Sequence, residues 1–209
     1  MREQYISIEG MQELALLMVI DCADAQESEF ARLVRQAKAG DAAAFEAILC
    51  QSERRVLLTA MRLLNGNVED AKDAAQQVFL RLHRSLSRLD TNRNFASWLY
   101  RITVNVCRDM LRGRARRPVV PLEDAGHCAT AGRAEDAMLR DEQMRLIYAA
   151  LGTLSEHERA AIVLRDLEGI STAEVARILE SSEATVRSQI SYARVKIRKF
   201  VDRQQKRHL

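Results

Sequence analysis

The apolar residues of this chain recur three and four positions apart over long stretches, which is the spacing of one face of an α-helix. Two such helices are predicted in the first third of the chain. The first runs from Glu27 to a stop at Gly40, and the second is capped by Asp41 and ends at the turn Asn65-Gly66-Asn67. Their apolar positions are Phe30, Leu33, Val34 and Ala37 in the first, and Phe45, Ile48, Leu49, Val56, Leu57, Met61 and Leu64 in the second.

Two further helices are predicted over about residues 69–87 and 95–112, and a polar loop over residues 90–94 separates them. Both have an apolar stripe on one side and polar residues on the other, as expected for helices that pack in a bundle. The stripes consist of Ala71, Ala74, Ala75, Val78, Phe79 and Leu82 in the third helix, and of Phe95, Leu99, Ile102, Val106 and Met110 in the fourth.

The helical pattern breaks over residues 113–137, which contain both prolines of the chain and three of its eight glycines. Such a segment is predicted to be a linker. Helical periodicity resumes near Met138 and continues to about Val201, which is enough for about four helices. Two helix starts are marked by capping boxes, in which a Ser and a Glu three residues later satisfy each other's backbone donors. These are Ser155-x-x-Glu158 and Ser171-x-x-Glu174.

The pattern therefore predicts an all-α protein with two small helical domains joined by a flexible linker. We place the domains at residues 27–113 and 138–209, the linker at 114–137 and an N-terminal extension at 1–26. The composition agrees, because 47% of the residues are hydrophobic, enough for packed cores, and only two are prolines.

Charge is distributed unevenly, although the net charge of the chain is only +3. Residues 1–46 carry four basic and nine acidic side chains, a net −5. Residues 101–117 carry six basic side chains and one acidic side chain, a net +5. Residues 187–208 carry eight basic side chains and one acidic side chain, a net +7. Two separated basic segments are expected of a protein that meets nucleic acid at two places. A solvated helix face and a basic tail would explain the charge equally well.

The C-terminal segment 171–198 has the pattern of a helix-turn-helix, with a short helix, a polar turn and a longer basic helix. On the longer helix an apolar stripe of Val186, Ile190, Ala193 and Ile197 is spaced i, i+4, i+7 and i+11. A second stripe, rotated by one residue, consists of Arg187, Ser191, Arg194 and Arg198. One face is thus expected to hold the domain while the other presents guanidinium groups to DNA. The alternative is an ordinary amphipathic surface helix.

A second basic stripe is predicted on the fourth helix, where Arg101, Asn105, Arg108 and Arg112 have the same spacing. Arginine and asparagine side chains suit phosphate neutralisation and hydrogen bonding to a base. Trp98 and Tyr100 lie near the start of this helix and are candidates for stacking on unpaired bases. Core packing is the alternative for Trp98, and the sequence favours it slightly.

The predicted linker is long enough to connect two DNA contacts. The 25 residues from 113 to 137, over which the helical pattern breaks, span at most about 80–90 Å when extended. Two DNA sites about two helical turns apart are separated by about 70 Å. One chain can therefore hold two separated elements of a promoter, although a linker that is merely disordered explains the same composition.

Two sequence blocks resemble the extracytoplasmic-function group of the sigma-70 family. The first is Asp73-Ala-Ala-Gln-Gln-Val-Phe-Leu-Arg-Leu, followed by Phe95-Ala-Ser-Trp-Leu-Tyr-Arg-Ile-Thr-Val-Asn. The second runs from Leu154 to Ser171 and continues in Glu174-Val-Ala and Thr185-Val-Arg-Ser. Together the resemblance covers about residues 27–113 and 138–203. It implies a non-catalytic transcription initiation subunit whose first domain binds the polymerase clamp and opens the −10 element. The second domain would bind the −35 element and the polymerase flap.

The resemblance also suggests roles for individual residues. It places the polymerase contact on, or supported by, Asp73, Gln76, Gln77, Phe79, Arg81 and Leu82. Together with the fourth-helix stripe and the loop at 89–94, it places the −10 contact on Asn92, Trp98, Arg101, Asn105, Arg108 and Arg112. Together with the C-terminal stripe, it places the −35 contact on Thr185, Arg187, Ser188, Ser191, Tyr192, Arg194 and Arg198.

Four positions depart from the family pattern. The family often has Glu where this chain has Gln77, and Gly where it has Glu180. It commonly has Arg at Gln189 and often a basic residue at Tyr192. The missing cations should lower non-specific phosphate affinity and put the transfer of any −35 preference in doubt.

The partners implied by the resemblance are core RNA polymerase, promoter DNA and an inhibitory anti-sigma protein, with no small-molecule substrate. A polymerase-independent operator-binding regulator is the alternative. An enzyme is disfavoured because no nucleophile–base pair or phosphate-binding loop is recognisable, and His83, His127, His157 and His208 are scattered. No cofactor is expected.

The cysteines and the N-terminal segment indicate the cellular compartment in which the protein is expected. Cys22, Cys50, Cys107 and Cys128 have no metal-ligand spacing and are expected to be reduced thiols that mostly fill the core. The apolar run from Met11 to Ile20 is too short to span a bilayer, and no small-residue cleavage site follows it. We therefore expect a cytoplasmic protein without membrane insertion.

Overall fold

The computed structural model describes residues 23–89, 94–115 and 134–206, and every regular element in these ranges is helical. The all-α prediction is therefore confirmed. The helices before the predicted linker are α1 (Ala23–Lys38), α2 (Ala42–Leu63), α3 (Val68–Ser85), a 3₁₀ turn (Leu86–Arg88) and α4 (Phe95–Ala115). Those after it are α5 (Ala134–Gly152), α6 (Glu156–Ile162), a π-helical turn (Val163–Leu167), α7 (Thr172–Ile178) and α8 (Glu183–Gln205).

The described residues form two compact units, one from Ala23 to Gly152 and one that begins at Thr153. Helix α5 lies in the first unit, where the Tyr148 ring is buried against Gly66 in the turn between α2 and α3. The predicted second domain began earlier, at residue 138. The predicted linker lies largely outside the described residues, but α4 continues to Ala115 and α5 begins at Ala134, so both of its ends are helical. Of the predicted extension, residues 1–22 lie outside the described residues.

The core of the first unit contains most of the predicted apolar positions. Small side chains that were not predicted to be buried fill the rest of it. All four apolar positions predicted for α1 are buried, as are five of the six predicted for α3. In α2, Phe45, Leu49, Leu57 and Met61 are only partly buried. The buried face of α2 is completed instead by Ala44, Ser52, Thr59 and Ala60. Small side chains at these positions allow α2 to pack closely against its neighbours.

Helix ends in the first unit follow the predicted signals. The Asp41 carboxylate caps α2 by accepting hydrogen bonds from the N–H groups of Ala43 and Ala44. At the other end Asn65 has a φ of 59° and Gly66 a φ of 80°, and the Gly66 N–H donates to the Met61 carbonyl. This left-handed pair satisfies carbonyls that have no partner in the helix, and it reverses the chain into α3.

The second unit packs α7 and α8 against α6 and the π-helical turn. The first predicted capping box is complete, since Ser155 and Glu158 satisfy each other's backbone N–H groups. In the second, the Ser171 hydroxyl accepts from the Glu174 N–H, while the Glu174 carboxylate forms an ion pair with Arg177. The buried interior of this unit consists of Leu154, Ala160, Ala161, Ile162, Val163, Leu164, Val175, Ala176, Ile178 and the apolar stripe of α8.

Candidate polymerase and nucleic-acid surfaces

The predicted basic stripe of α4 lies on the outside of the first unit. Arg101, Asn105 and Arg112 are exposed and Arg108 is half-buried. The buried side of the helix is broader than the predicted stripe, and Ile102 and Met110 are only partly buried. The residues that fill the buried side are Phe95, Leu99, Tyr100, Thr103, Val104, Val106 and Cys107. Because one side is held in the core, the stripe presents its polar groups on a fixed surface.

Both ends of α4 are anchored. At the start, the Asn94 side chain accepts a hydrogen bond from the Ser97 N–H and caps the helix. Near the end, Arg114 forms an ion pair with the buried carboxylate of Asp70 in α3. The acidic member of the basic segment, Asp109, is paired with Arg81 of α3 at 3.1 Å. Arg81, which the family resemblance assigns to a polymerase contact, thus also links α3 to α4, and its spacing in the sequence does not indicate this link.

Three aromatic rings stack at the start of α4. The Phe30 and Phe95 centroids are 5.2 Å apart and those of Phe95 and Trp98 are 6.1 Å apart, with interplanar angles near 20° in both pairs. Trp98 is half-buried, so it belongs to the edge of the core and also reaches the surface. Tyr100 is buried and cannot stack on a base without a rearrangement, so that expectation is corrected. Asn92 lies outside the described residues.

The predicted polymerase surface lies on α3. Asp73, Gln76 and Gln77 are exposed there and Phe79 is half-buried. Leu82 is fully buried, so its role is to support the helix and not to contact a partner. Leu80, which was not among the predicted site residues, is 56% exposed beside these polar residues. An apolar residue that breaks the polar face of an amphipathic helix is the signal that would have identified it.

The helix-turn-helix is present in the second unit as α7, a turn and α8. The turn is a Schellman motif, because the Ser181 N–H donates to the Ala176 carbonyl and the Glu180 N–H to the Arg177 carbonyl. Glu180 has a φ of 54°, in the left-handed region that favours glycine. The departure at this position therefore places a side chain at a strained point of the turn. Ser182 then caps α8 through the Thr185 N–H.

Helix α8 matches the predicted arrangement of two stripes. Val186, Ile190, Ala193 and Ile197 are all buried, and each is at most 7% exposed. Every residue predicted to face the −35 element is exposed, and Tyr192 is the most open of the large hydrophobic residues, at 65%. Gln189 is half-buried on the flank of the helix, so this departure from the family pattern does not lie on the outermost surface.

Several cations of α8 are already paired within the unit. Arg187 donates to Glu183 one turn earlier at 2.6 Å. Arg194 makes two hydrogen bonds to Asp166 of the π-helical turn, at 3.0 and 2.8 Å. Lys196 donates to both oxygens of Glu158 in α6, at 2.8 and 2.7 Å.

These contacts shift the ionisation of the groups involved. The hydrogen bond from Arg194 to Asp166 raises the pKa of Arg194. Burial alone would raise the pKa of Glu158, but the hydrogen bonds from Lys196 and Ser155 outweigh it and lower that pKa. Both shifts favour the charged forms of Arg194 and Glu158.

The described cysteines differ in their environments. Cys107 is buried in α4, and burial, together with the charge of Asp70, raises the pKa of its thiol to about 12. Cys50 is exposed, contrary to the expectation that the cysteines mostly fill the core, and Cys22 and Cys128 lie outside the described residues.

Over residues 23–89, 94–115 and 134–206, no cluster of three His, Cys, Asp or Glu side chains could hold a metal ion. No helix in these ranges is long and apolar enough to cross a membrane.

Comparisons with known proteins match both units. Sigma-70 region 2 matches residues 49–117 and Sigma-70 region 4 matches residues 144–197. RNA polymerase sigma-H factor of Pseudomonas aeruginosa is 32% identical over 80% of this chain and 91% of its own length. ECF RNA polymerase sigma factor SigM of Mycobacterium tuberculosis is 34% identical over 84% of this chain and 86% of its own length.

The chain belongs to the extracytoplasmic-function group of the sigma-70 family. A solved structure of CnrH in complex with the cytosolic domain of CnrY is also similar, with a TM-score of 0.64 and 26% identity over 83% of this chain and 97% of CnrH. As a sigma factor the chain is a DNA-binding transcription initiation protein that acts with core RNA polymerase. A polymerase-independent regulator is not favoured, since the matched relatives are RNA polymerase sigma factors.

Proposed function

We propose that this sigma factor holds a promoter at two places, with α4 at the −10 element and α8 at the −35 element. The observation that carries the proposal is that each unit presents a basic helix face whose opposite side is buried in its own core. Two anchored cationic surfaces on one chain suit two separated stretches of phosphate backbone. The chain assists initiation without a catalytic reaction of its own, and it acts in the cytoplasm, where promoter DNA and core polymerase are found.

The polymerase clamp contact is proposed for the outer face of α3. Asp73, Gln76 and Gln77 supply hydrogen-bonding groups there, and Leu80 and Phe79 supply apolar surface. An exposed apolar side chain within a polar rim is a common composition for an interface. Gln77 replaces the charged residue often found in the family, so this contact depends less on an ion pair. The second unit would in addition meet the polymerase flap.

At the −10 element, the proposed contacts are Trp98 and the stripe Arg101, Asn105, Arg108 and Arg112, together with Asn92, which precedes α4 in the sequence. The arginines neutralise phosphates, and the Asn105 amide can donate to a base and accept from it. Trp98, which stacks on Phe95, offers its remaining surface to an unpaired base. Stacking of one base contributes about 1–3 kcal/mol, which offsets part of the cost of opening the duplex.

At the −35 element, the proposed contacts are the exposed residues of α8. Thr185, Arg187 and Ser188 lie in its first two turns, where a recognition helix reads base edges. Ser191, Tyr192 and Arg198 extend the contact along the groove. Tyr192 brings a ring where relatives often have a cation, which favours contact with a thymine methyl group or a sugar over contact with a phosphate.

An inhibitory protein partner is also proposed. CnrH is solved in complex with the cytosolic domain of CnrY, and the sigma factor RpoE of Bartonella quintana, which shares the fold, is solved with the anti-sigma factor NepR. A partner that covers the exposed face of α3 would prevent polymerase binding. Inhibition of reconstituted transcription by a co-purified protein that competes with core polymerase for this chain would support this role.

Reconstituted transcription tests the central proposal. Purified full-length chain is added to bacterial core polymerase with a promoter library, and transcripts are mapped. Promoter-specific transcripts are expected, and substitution of Asn105 or Arg101 by alanine should reduce them about tenfold or more. Arg54→Ala, at an exposed position of α2, a helix that carries none of the proposed contacts, is the matched control and should leave them unchanged. Absence of specific transcripts with several compatible polymerases would refute the proposal.

A further inference from the structure

The two ion pairs between α8 and the start of the second unit lie on opposite flanks of the buried stripe of α8. Arg194 directly follows the buried Ala193, and Lys196 directly precedes the buried Ile197. At about 100° per residue, the two cations lie roughly 70–90° to either side of the centre of that stripe. Asp166 therefore holds one flank of the helix and Glu158 holds the other.

The acidic partners are much less exposed than those of an ordinary surface ion pair. The side chains of Asp166 and Glu158 are only 14% and 13% exposed, whereas that of Glu183, the partner of Arg187, is 47% exposed. An exposed pair contributes little because water and salt screen it. The lower exposure of Asp166 and Glu158 leaves less water around these two pairs to screen the attraction between their charges. The two flank pairs are thus stronger constraints than the pair at Arg187.

Each acidic residue belongs to a segment whose backbone is held by hydrogen bonds. Asp166 lies in the π-helical turn, which closes with a hydrogen bond from the Glu168 N–H to the Val163 carbonyl. Glu158 is held by the capping box, where one of its oxygens accepts from the Ser155 N–H. Neither carboxylate can follow α8 if the helix turns about its own axis, because each is tied to a rigid segment.

We propose that Asp166 and Glu158 are positioning residues that fix the rotation of α8 and thereby determine which side chains face the −35 element. Arg194 then acts through Asp166 and is not one of the cations that neutralise DNA phosphates. Arg198, one turn further along the same stripe, pairs with no carboxylate in the described part of the chain and serves as a phosphate ligand. The inference rests on the proposed function of α8 and assigns different roles to two arginines that the sequence pattern treats alike.

Thermal unfolding of the full chain tests the coupling between the pair. Arg194→Gln and Asp166→Asn should each lower the unfolding temperature of the second unit by about 3–6 °C. The double variant should lower it no further, because both single changes remove the same interaction. Arg198→Gln is the matched control and should leave the unfolding temperature unchanged. Additive losses in the double variant would overturn the proposed coupling between Arg194 and Asp166.

Salt titration with random-sequence duplex DNA as the probe tests which arginine meets phosphate. Each phosphate contact contributes about 0.9 to the slope of log affinity against log salt. Arg198→Gln should therefore reduce the slope by about one, and Arg194→Gln should leave it unchanged. Equal reductions in slope for the two variants would overturn the assignment of Arg194.

Promoter discrimination separates positioning from a merely structural role. The holoenzyme is assayed below the unfolding temperature on a promoter selected by the wild-type protein and on the same promoter with its −35 element replaced. Asp166→Asn should lower the ratio of transcripts at least about threefold, although an acidic side chain is no ligand for phosphate. Asp202→Asn, an exposed charge change on α8, should leave the ratio unchanged. An unchanged ratio in Asp166→Asn would overturn the inference, whereas inactivity of the wild-type holoenzyme would instead refute the proposed function.

Discussion

Helices α4 and α8 carry polar stripes of the same spacing, but the ion pairs beside the two stripes have opposite effects on their charge. On α4 the acidic residue Asp109 is neutralised by Arg81 of α3, which increases the net positive character of that face. On α8 the stripe cation Arg194 is itself neutralised by Asp166. Equal spacing along a helix thus does not imply equal charge at the surface, because neighbouring elements decide which charges are compensated.

The two stripes also depend on their cores in different ways. Helix α4 is held by α1, α2 and α3, and its ends are anchored by Asn94 and by the ion pair of Arg114 with Asp70. Helix α8 packs chiefly against two short helices, α6 and α7. A smaller unit buries less of its surface, so fewer interactions hold its DNA face in place. We therefore expect α8 to be the more easily perturbed of the two.

The largest expected effect comes from removing core volume beneath the α8 stripe. Ile190→Ala should lower the free energy of unfolding of the second unit by about 2–4 kcal/mol, because it leaves a cavity at a buried position. Chemical denaturation of the full chain, followed separately for the two units, measures the loss. Ser191→Ala, at the adjacent exposed position, is the control and should change stability by less than about 0.5 kcal/mol. If Ile190→Ala lost no more unfolding free energy than Ser191→Ala, Ile190 would not be a core residue.

The next largest effect concerns the charge of the α4 stripe. The double variant Arg101→Gln/Arg112→Gln should reduce the salt-dependence slope of open-complex formation by about two, because each arginine is expected to neutralise one phosphate. Holoenzyme binding to a promoter at several salt concentrations measures the slope. Arg32→Gln/Arg54→Gln, at exposed positions of α1 and α2, provides a control with the same loss of two charges. An unchanged slope in the double variant would mean that α4 does not meet the DNA backbone.

A smaller effect is expected at the turn that leads into α8. Glu180→Gly should stabilise the second unit by about 1 kcal/mol, because a left-handed residue with a β-carbon is strained. Gly169→Ala is the reciprocal test in the same unit, since Gly169 has a φ of 71° and a β-carbon there would touch nothing within 4 Å. It should destabilise by a similar amount. Denaturation midpoints compare the two, and a loss of stability in Glu180→Gly would contradict the account of the turn.

The smallest expected effect is a dependence of the stability of the second unit on pH. The pKa of Glu158 is lower in the folded protein than in the unfolded chain, so the folded state binds fewer protons. Its contribution is therefore complete above the unfolded pKa and is lost as the pH falls through the folded pKa, below about pH 5. Unfolding temperatures of the second unit at pH 3–7 should decline less steeply in Glu158→Gln than in the wild type. Asp202→Asn serves as the charge control, and an identical decline in Glu158→Gln would exclude this contribution.

Much of the fold could be predicted because its signals are local. The four residues of the α8 stripe are buried as predicted, and Asp41 and Ser155 cap the helices that they were expected to cap. Apolar periodicity and capping depend on residues within two turns of one another, so the sequence contains them directly. The exposed face of α4 followed from the same periodicity. The domain boundaries, the linker and the roles of individual site residues remain predictions.

Other features depended on residues distant in the sequence. Tyr100 is buried, and the inner face of α2 is completed by Ala44 and Ala60, because the neighbouring helices determine how wide each buried face becomes. The full burial of Leu82 and the exposure of Leu80, two residues apart on α3, are by contrast already indicated by the helical periodicity.

The sequence by itself determined the helices, their caps, the two basic stripes and the family to which the chain belongs. Only the tertiary structure decided which charges of those stripes are compensated, since Asp166 and Arg194 are 28 residues apart and meet only when α8 packs on the π-helical turn. Periodicity reports which side of a helix faces the core. Coulomb energy and hydrogen bonding depend on distances between atoms of different elements, and those distances exist only in the folded unit.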